Sequence, residues 1–132
     1  MCSSDLRSEA LAAVLVDAPC SATGTMARHP DARWRVAPRT IARAAERQRS
    51  LLAAAATLVR SGGLLVYATC SLEPEENSDI VTGFLARHPE FARTPATGAV
   101  PTALLTPAGD FQSLPQRHGT DGAYAARLAR VR

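Results

Sequence analysis

Apolar positions along this chain fall in blocks whose period changes. Ala13-Val14-Leu15-Val16 is a short continuous apolar run, closed by Asp17-Ala18-Pro19-Cys20, where proline stops the pattern. It predicts a buried strand. Ser21 to Thr25 is polar with a glycine, and Arg28-His29-Pro30-Asp31-Ala32-Arg33-Trp34-Arg35 is basic; both predict loop. From about Thr40 to Arg60 the period is helical. Ile41, Ala44, Ala45, Leu51, Leu52, Ala55 and Leu58 make the apolar face, with Arg43, Glu46, Arg47 and Arg49 mostly opposite. Ser61-Gly62-Gly63 then reads as a glycine C-cap. Leu64-Leu65-Val66-Tyr67-Ala68 predicts a second buried strand, ending at Thr69-Cys70-Ser71. Glu73-Pro74-Glu75-Glu76 predicts a helix start, with proline at the first helical position and acids at the positive end of the dipole. Ile80, Val81, Phe84 and Leu85 form its apolar face, and Pro89 ends it after Arg87-His88. Pro95 to Pro107 reads as a variable loop, Gly119-Thr120-Asp121-Gly122 as a turn, and Ala123 to Leu128 as a last strand.

A strand–helix–strand–helix order predicts an α/β fold with a parallel sheet and right-handed crossovers. Two such strands and a final one make a small sheet. A doubly wound fold needs more strands, and they are expected before Ala13. The opening Met1-Cys2-Ser3-Ser4-Asp5-Leu6 reads as a non-native or ragged terminus, which leaves Cys2 without a function.

Composition changes this picture little. The 132 residues are 46% apolar and 20% charged, enough for a core and against wholesale disorder. No apolar run reaches membrane-spanning length and no signal pattern opens the chain, so no membrane association and a cytoplasmic location are expected. All 15 basic residues are arginine and the net charge is +3, which suits a nucleic-acid partner but is weak support for one.

The three cysteines, Cys2, Cys20 and Cys70, form no CxxC pair and no Cys/His cluster, so neither a disulfide framework nor a metal site is expected. Isolated cysteines are usually small buried hydrophobes. Cys20 and Cys70 differ from that rule because each lies just past the carboxyl end of a predicted parallel strand, where open α/β sheets bind ligands. Neighbouring strands run about 4.8 Å apart, so both thiols would face one pocket. Cys70 also precedes an expected helix N-terminus, whose dipole would favour a thiolate.

Asp17-Ala18-Pro19-Cys20-Ser21-Ala22-Thr23-Gly24 resembles the DAPCSGTG motif of the Sun/Nop family of RNA 5-methylcytosine methyltransferases, with Ala22 in place of the commoner glycine. Thr69-Cys70-Ser71 with Glu75-Glu76-Asn77 resembles that family's TCS…EEN motif, and Arg28-His29-Pro30-Asp31 with Arg33-Trp34 its RHPD…RW segment. Leu114-Pro115 and Gly119-Thr120-Asp121-Gly122 resemble its closing motif.

The resemblance implies the C-terminal half of a Rossmann-like, S-adenosylmethionine-dependent methyltransferase fold, with a final antiparallel strand. Residues 13–132 would be the C-terminal part of the catalytic domain, lacking the donor-binding N-terminal half, and residues 1–12 its ragged start. It also implies a covalent mechanism. A thiolate adds at cytosine C6, C5 becomes nucleophilic, and a methyl group is accepted there. The resemblance assigns attack to Cys70 and product release to Cys20. Asp17 would bind the cytosine edge or the cationic donor, with Pro19 beside it. Substrate contacts would come from Ser21, Arg28, His29, Arg33, Trp34, Thr69, Ser71 and Asn77; arginines suit phosphates, and tryptophan stacks bases. The partner expected is RNA, with 16S rRNA favoured because the chain stops at Val131-Arg132 without an appended domain. Three alternatives stay open: a non-catalytic RNA-binding member, a cysteine hydrolase or a thiol redox protein. An exposed sheet edge at Ala13–Val16 is expected to favour self-association.

Overall fold

The computed structural model describes residues 10–21, 23–25, 37–118 and 121–132. Strand β1 (Leu11–Asp17) leads through a 3₁₀ turn (Thr23–Thr25) to helix α1 (Pro38–Ala56) and strand β2 (Val59–Thr69). A second 3₁₀ turn (Pro74–Glu76) precedes helix α2 (Ser78–Arg87). Short strands β3 (Phe91–Arg93) and β4 (Phe111–Ser113) flank a third 3₁₀ turn (Thr102–Leu104). A four-residue helix α3 (Pro115–His118) then leads to β5 (Ala123–Arg130).

β1 and β2 are parallel neighbours, Ala13 opposite Leu64 through Asp17 opposite Ala68, as the two apolar runs predict. β5 pairs with β2 antiparallel, Leu64 opposite Ala129 through Thr69 opposite Tyr124. The outer side of β5 is completed by β3 at one end and β4 at the other, both antiparallel to it.

The period-2 alternation of β2 decides where the core lies. Leu65, Tyr67 and Thr69 are buried on one face, in line with Val16 of β1 and Tyr124, Ala126 and Leu128 of β5. Leu52 from α1 and Ile80, Val81 and Phe84 from α2 join the same core. Truncating a fully buried leucine such as Leu52 to alanine costs about 2–5 kcal/mol. The opposite face carries Leu11, Ala13, Leu15 and Asp17 of β1 and is open among the described residues, with Leu15 67% exposed.

Three expectations need correction. Gly62 and Gly63 are not a helix cap. Helix α1 ends at Ala56, its terminal turn closed by Thr57, whose N–H and Oγ1 both reach the Ala54 carbonyl. The two glycines lie inside β2, where Gly62 adopts φ 82 and the register jumps from Leu11–Val59 to Ala13–Leu64. At Gly63 a Cβ would sit 2.9 Å from the Ala12 carbonyl oxygen, so the backbones approach too closely for a side chain. On α1, the buried stripe is Ala44, Ala45, Gln48, Leu52 and Ala56, whereas Leu51 is exposed, as is Leu58 beyond the end of the helix. Leu51 lies one residue, about 100°, off the stripe, and the polar Gln48 holds its centre. Finally, the segment at Pro74 is a separate turn. Asn77, at φ −115 and ψ −100, breaks it from α2.

Candidate active site

Cys20 and Cys70 meet at the carboxyl end of the parallel pair, with their Sγ atoms 3.3 Å apart. Both remain thiols and both are half-buried. The β1–β2 ladder continues one step past its last pair through the Ala18 N–H to the Ala68 carbonyl, 2.9 Å, so both chains leave the sheet in step. The Thr23–Thr25 turn is then stitched between two other segments. Gly24 N–H donates to the Cys70 carbonyl at 2.9 Å, and Gly122 N–H donates to the Gly24 carbonyl at 2.7 Å. Leu72 N–H donates to Thr23 Oγ1 at 2.7 Å. Gly24 permits this by having no side chain, since a Cβ there would lie 2.3 Å from the Gly122 carbonyl oxygen and 2.6 Å from that of Cys70.

Beneath the thiols lies a buried polar cluster centred on Glu76, which is 0% exposed. Its Oε1 accepts from Ser21 N–H at 2.8 Å and from Gln48 Nε2 at 3.1 Å. Its Oε2 accepts from the hydroxyls of Ser21, 2.6 Å, and Ser71, 2.5 Å. Gln48 Nε2 also reaches the Pro19 carbonyl at 2.9 Å. A buried carboxyl group is tolerated when its oxygens are saturated by donors, as here. The Tyr67 hydroxyl donates to the Glu76 main-chain carbonyl at 2.6 Å. Its ionisation is pushed well above the ordinary tyrosine value, first by burial, then by Glu76 and Cys20. Burial, then Glu75 and Glu76, also hold the Glu73 carboxyl above its usual range.

Thr69, Ser71 and Asn77, the expected substrate contacts, are buried here and bonded within the loop. Thr69 Oγ1 donates to Asn77 Oδ1 at 2.5 Å, Asn77 Nδ2 donates to the Ser71 carbonyl at 2.8 Å, and Ser71 is 0% exposed with its hydroxyl on Glu76. These groups bind the loop to itself. The helix-dipole argument for Cys70 also fails, because α2 begins at Ser78, beyond the intervening 3₁₀ turn. Asp17 is exposed at the end of β1, in one row with Ala68 of β2 and Ala125 of β5, and Pro19 is exposed beside it. Ser21 is half-buried on Glu76. Arg28, His29, Arg33 and Trp34 lie outside the described residues.

Gln48 and Glu76 were not among the residues predicted for the site. In sequence Gln48 is one polar position on a helix. Glu76 falls in the segment that resembles the family's EEN motif, but there it reads equally as an acid near a helix start; the serines after both cysteines are the further hint of a shared partner.

A cavity of about 320 Å³ opens beside the Cys70 loop, lined by Leu72, Pro74, Asn77, Asp110, Gln112 and Tyr124 among others. At its floor Tyr124 donates to Asp110 Oδ2 at 2.5 Å, and Arg93 Nε stands 3.4 Å from Asp110 Oδ1. Among the described residues no group of three or more His, Cys, Asp or Glu could hold a metal ion. No helix among them is long and apolar enough to cross a membrane.

A parallel pair delivering its loops to one end of the sheet, closed by an antiparallel strand, is the arrangement of a Rossmann-like methyltransferase. The chain belongs to the family described as 16S rRNA methyltransferase RsmB/F, which it matches over residues 2–129. It is 45% identical over 118 residues to ribosomal RNA small subunit methyltransferase B of Thermus thermophilus, covering 89% of this chain and 29% of that protein. The crystal structure of PH0851 superposes with a TM-score of 0.82 at 40% identity, over 91% of this chain and 27% of that one. NSun6 from Pyrococcus horikoshii, crystallised with SFG, gives a TM-score of 0.75 at 28% identity, over 89% and 29%. The chain thus spans less than a third of the length of these relatives.

Proposed function

We propose that this chain carries the covalent-catalysis part of an S-adenosylmethionine-dependent RNA (cytosine-C5) methyltransferase acting in the cytoplasm on small-subunit rRNA. The observation that carries this reading is the 3.3 Å thiol pair at the carboxyl end of adjacent strands. A single nucleophile needs no second thiol; a thiol in contact with it is placed to assist release of a covalent adduct. The Cys70 thiol gives its proton to a base, its Sγ adds to C6 of cytosine, and the C5–C6 π electrons move to C5, which would take the methyl group as the S–CH3 bond of the sulfonium donor breaks and a neutral thioether departs. A base then takes the C5 proton, the C5–C6 double bond reforms and Cys70 leaves as its thiolate. Cys20, in contact with Cys70, assists that departure.

S-adenosylmethionine, when bound, supplies the electrophilic methyl group. The described residues fit one wall of its site. Asp17 offers an exposed carboxylate to a cationic donor or to the cytosine N3/N4 edge, and its row neighbours Ala68 and Ala125 are small enough to leave the surface above them open. Pro19 borders the same side. A relative crystallised with SFG, an analogue of this donor, supports the assignment. A cysteine hydrolase finds less support. His88, the histidine whose side chain is described, caps the end of α2, stacked on Phe84 at 4.0 Å with Nδ1 3.0 Å from the Phe84 carbonyl.

The test grafts this segment into the matching 29% of the Thermus thermophilus relative and supplies S-adenosylmethionine and small-subunit rRNA. Cys70→Ala should abolish methyl transfer and any covalent RNA adduct. Cys20→Ala should methylate without release and accumulate a protein–RNA complex stable on denaturing gels. Trapping by Cys70→Ala alone reverses the roles. Full activity of both variants refutes the cysteine mechanism.

A further inference from the structure

Each cysteine is followed by a serine, and the two serine hydroxyls donate to one and the same oxygen, Glu76 Oε2, at 2.6 Å from Ser21 and 2.5 Å from Ser71. The other oxygen of that carboxyl group takes the Ser21 N–H and, through Gln48 Nε2, the Pro19 carbonyl that precedes Cys20. Ser71 Oγ in turn accepts from the Glu73 N–H at 2.9 Å, which folds the Cys70 loop back over the clamp. Three segments far apart in sequence thus converge on a fully buried carboxyl group, and no cation neutralises it among the described residues. Burying a charged or polar group this deeply costs stability unless every bond is made. Hydrophobic residues would hold a helix on a sheet more cheaply. What this arrangement adds is direction. It fixes the main chain on the carboxyl side of both thiols from a common point.

We propose that Glu76, supported by Gln48, is a positioning residue that sets the Cys20–Cys70 separation, with Ser21 and Ser71 as its two arms. It rests on the reading of both thiols as working groups, and it acts through their loops without touching substrate. The sheet alone does not fix the sulfur–sulfur distance. The β1–β2 ladder stops at Ala18, two residues before Cys20. From there the Pro19–Ser21 segment is tied through the Pro19 carbonyl and the Ser21 N–H and hydroxyl to Gln48 and Glu76. With this clamp removed, the Pro19–Ser21 segment is held only by its flanking Ala18 and Gly24 bonds, and Cys20 gains torsional freedom relative to Cys70. Their effective concentration toward each other then falls.

A disulfide serves as the ruler. In glutathione buffers the chain exchanges two thiols for one disulfide: Cys20-SH and Cys70-SH are oxidised, oxidised glutathione is reduced, and two reduced glutathione molecules are released. The equilibrium constant is the effective concentration of the pair. It is read by quenching and mass spectrometry of the chain carrying Cys2→Ser. The clamp predicts that Glu76→Ala lowers this constant by at least about tenfold. Glu76→Gln should retain most of it, because the amide keeps a carbonyl for Ser21 N–H and Gln48 while both hydroxyls can rotate to accept. Ser21→Ala and Ser71→Ala should each lower it less than Glu76→Ala and have no further effect in the Glu76→Ala background. If Glu76→Ala does not fold, the serine variants and Gln48→Leu carry the test alone, and each should lower the constant. An unchanged constant in the folded variants overturns the proposal and leaves the methyltransferase reading intact. Failure of the RNA-trapping experiment with a clamp-sensitive constant removes the methyltransferase reading only.

Discussion

Gly24→Ala tests the stitching of the two cysteine loops. A Cβ at Gly24 would fall 2.3 Å from the Gly122 carbonyl oxygen and 2.6 Å from that of Cys70, both main-chain atoms that cannot swing aside. One of the three segments must therefore move by about an ångström, the shortfall from ordinary contact. That movement breaks or stretches the Gly24–Cys70 and Gly122–Gly24 hydrogen bonds of 2.9 and 2.7 Å. Two such bonds contribute about 1 kcal/mol each, and overpacking costs about 1–3 kcal/mol. The expected loss is about 3–5 kcal/mol, or about 1.5–2.5 M in urea midpoint for a domain of this size. Gly98→Ala is the control. Gly98 has φ +83 with open space within 4 Å of where a Cβ would sit, so that substitution carries only the left-handed backbone cost of about 1–2 kcal/mol. Urea denaturation followed by circular dichroism compares the two variants. If Gly24→Ala is no more destabilising than Gly98→Ala, the close approach of these loops is refuted.

The protein's two tyrosines, Tyr67 and Tyr124, are both buried, and both ionisations are pushed up, Tyr124 by burial and then by its bond to Asp110. A raised folded-state value favours the neutral phenol. This stabilisation is complete below about pH 10, the unfolded value, and is lost at higher pH. Absorbance at 295 nm should therefore show no phenolate until the chain unfolds; a gradual rise near pH 10 with circular dichroism intact would falsify the burial. Tyr124→Phe strips the donor from Asp110 Oδ2 and should cost about 1–3 kcal/mol, measured by thermal or urea unfolding; a cost below about 0.5 would mean the bond contributes little. The open face of β1, with Leu11 50% and Leu15 67% exposed, should drive self-association that Leu15→Glu suppresses. Sedimentation velocity decides this, and equal association of both proteins would point to another surface.

Continuous apolar runs made β1 and the second half of β2 readable, although among the described residues only one face of β1 packs on the core. β3 and β4 left no such trace. Each has three residues, and their pairing is imposed by β5 rather than by their own pattern. Gly62-Gly63 misled because a left-handed glycine serves both helix caps and strand irregularities. Juxtaposition of Cys20 and Cys70 could be inferred from strand order alone. The role of Glu76 could not, because an acid near a helix start has the same local context whether solvated or fully buried. Ser71, Thr69 and Asn77 were read as substrate contacts for the converse reason. A motif shows that residues occur together, but it does not tell which of them face outward.

The irregularity in β2 separates two counts that would otherwise be linked. Between the Leu11–Val59 and Ala13–Leu64 pairs, β2 advances five residues while β1 advances two. The side-chain phase that puts Tyr67 and Thr69 inward and Cys70 against Cys20 is therefore set by pairing with β1 and β5, not by distance from α1. An insertion or deletion at Arg60–Gly62 can be taken up in the loop-out without inverting Cys70. The same change between Leu64 and Thr69 would turn Cys70 toward the core and a core residue toward the Cys20 loop. Length variation among homologous enzymes is accordingly expected at the first place and absent from the second.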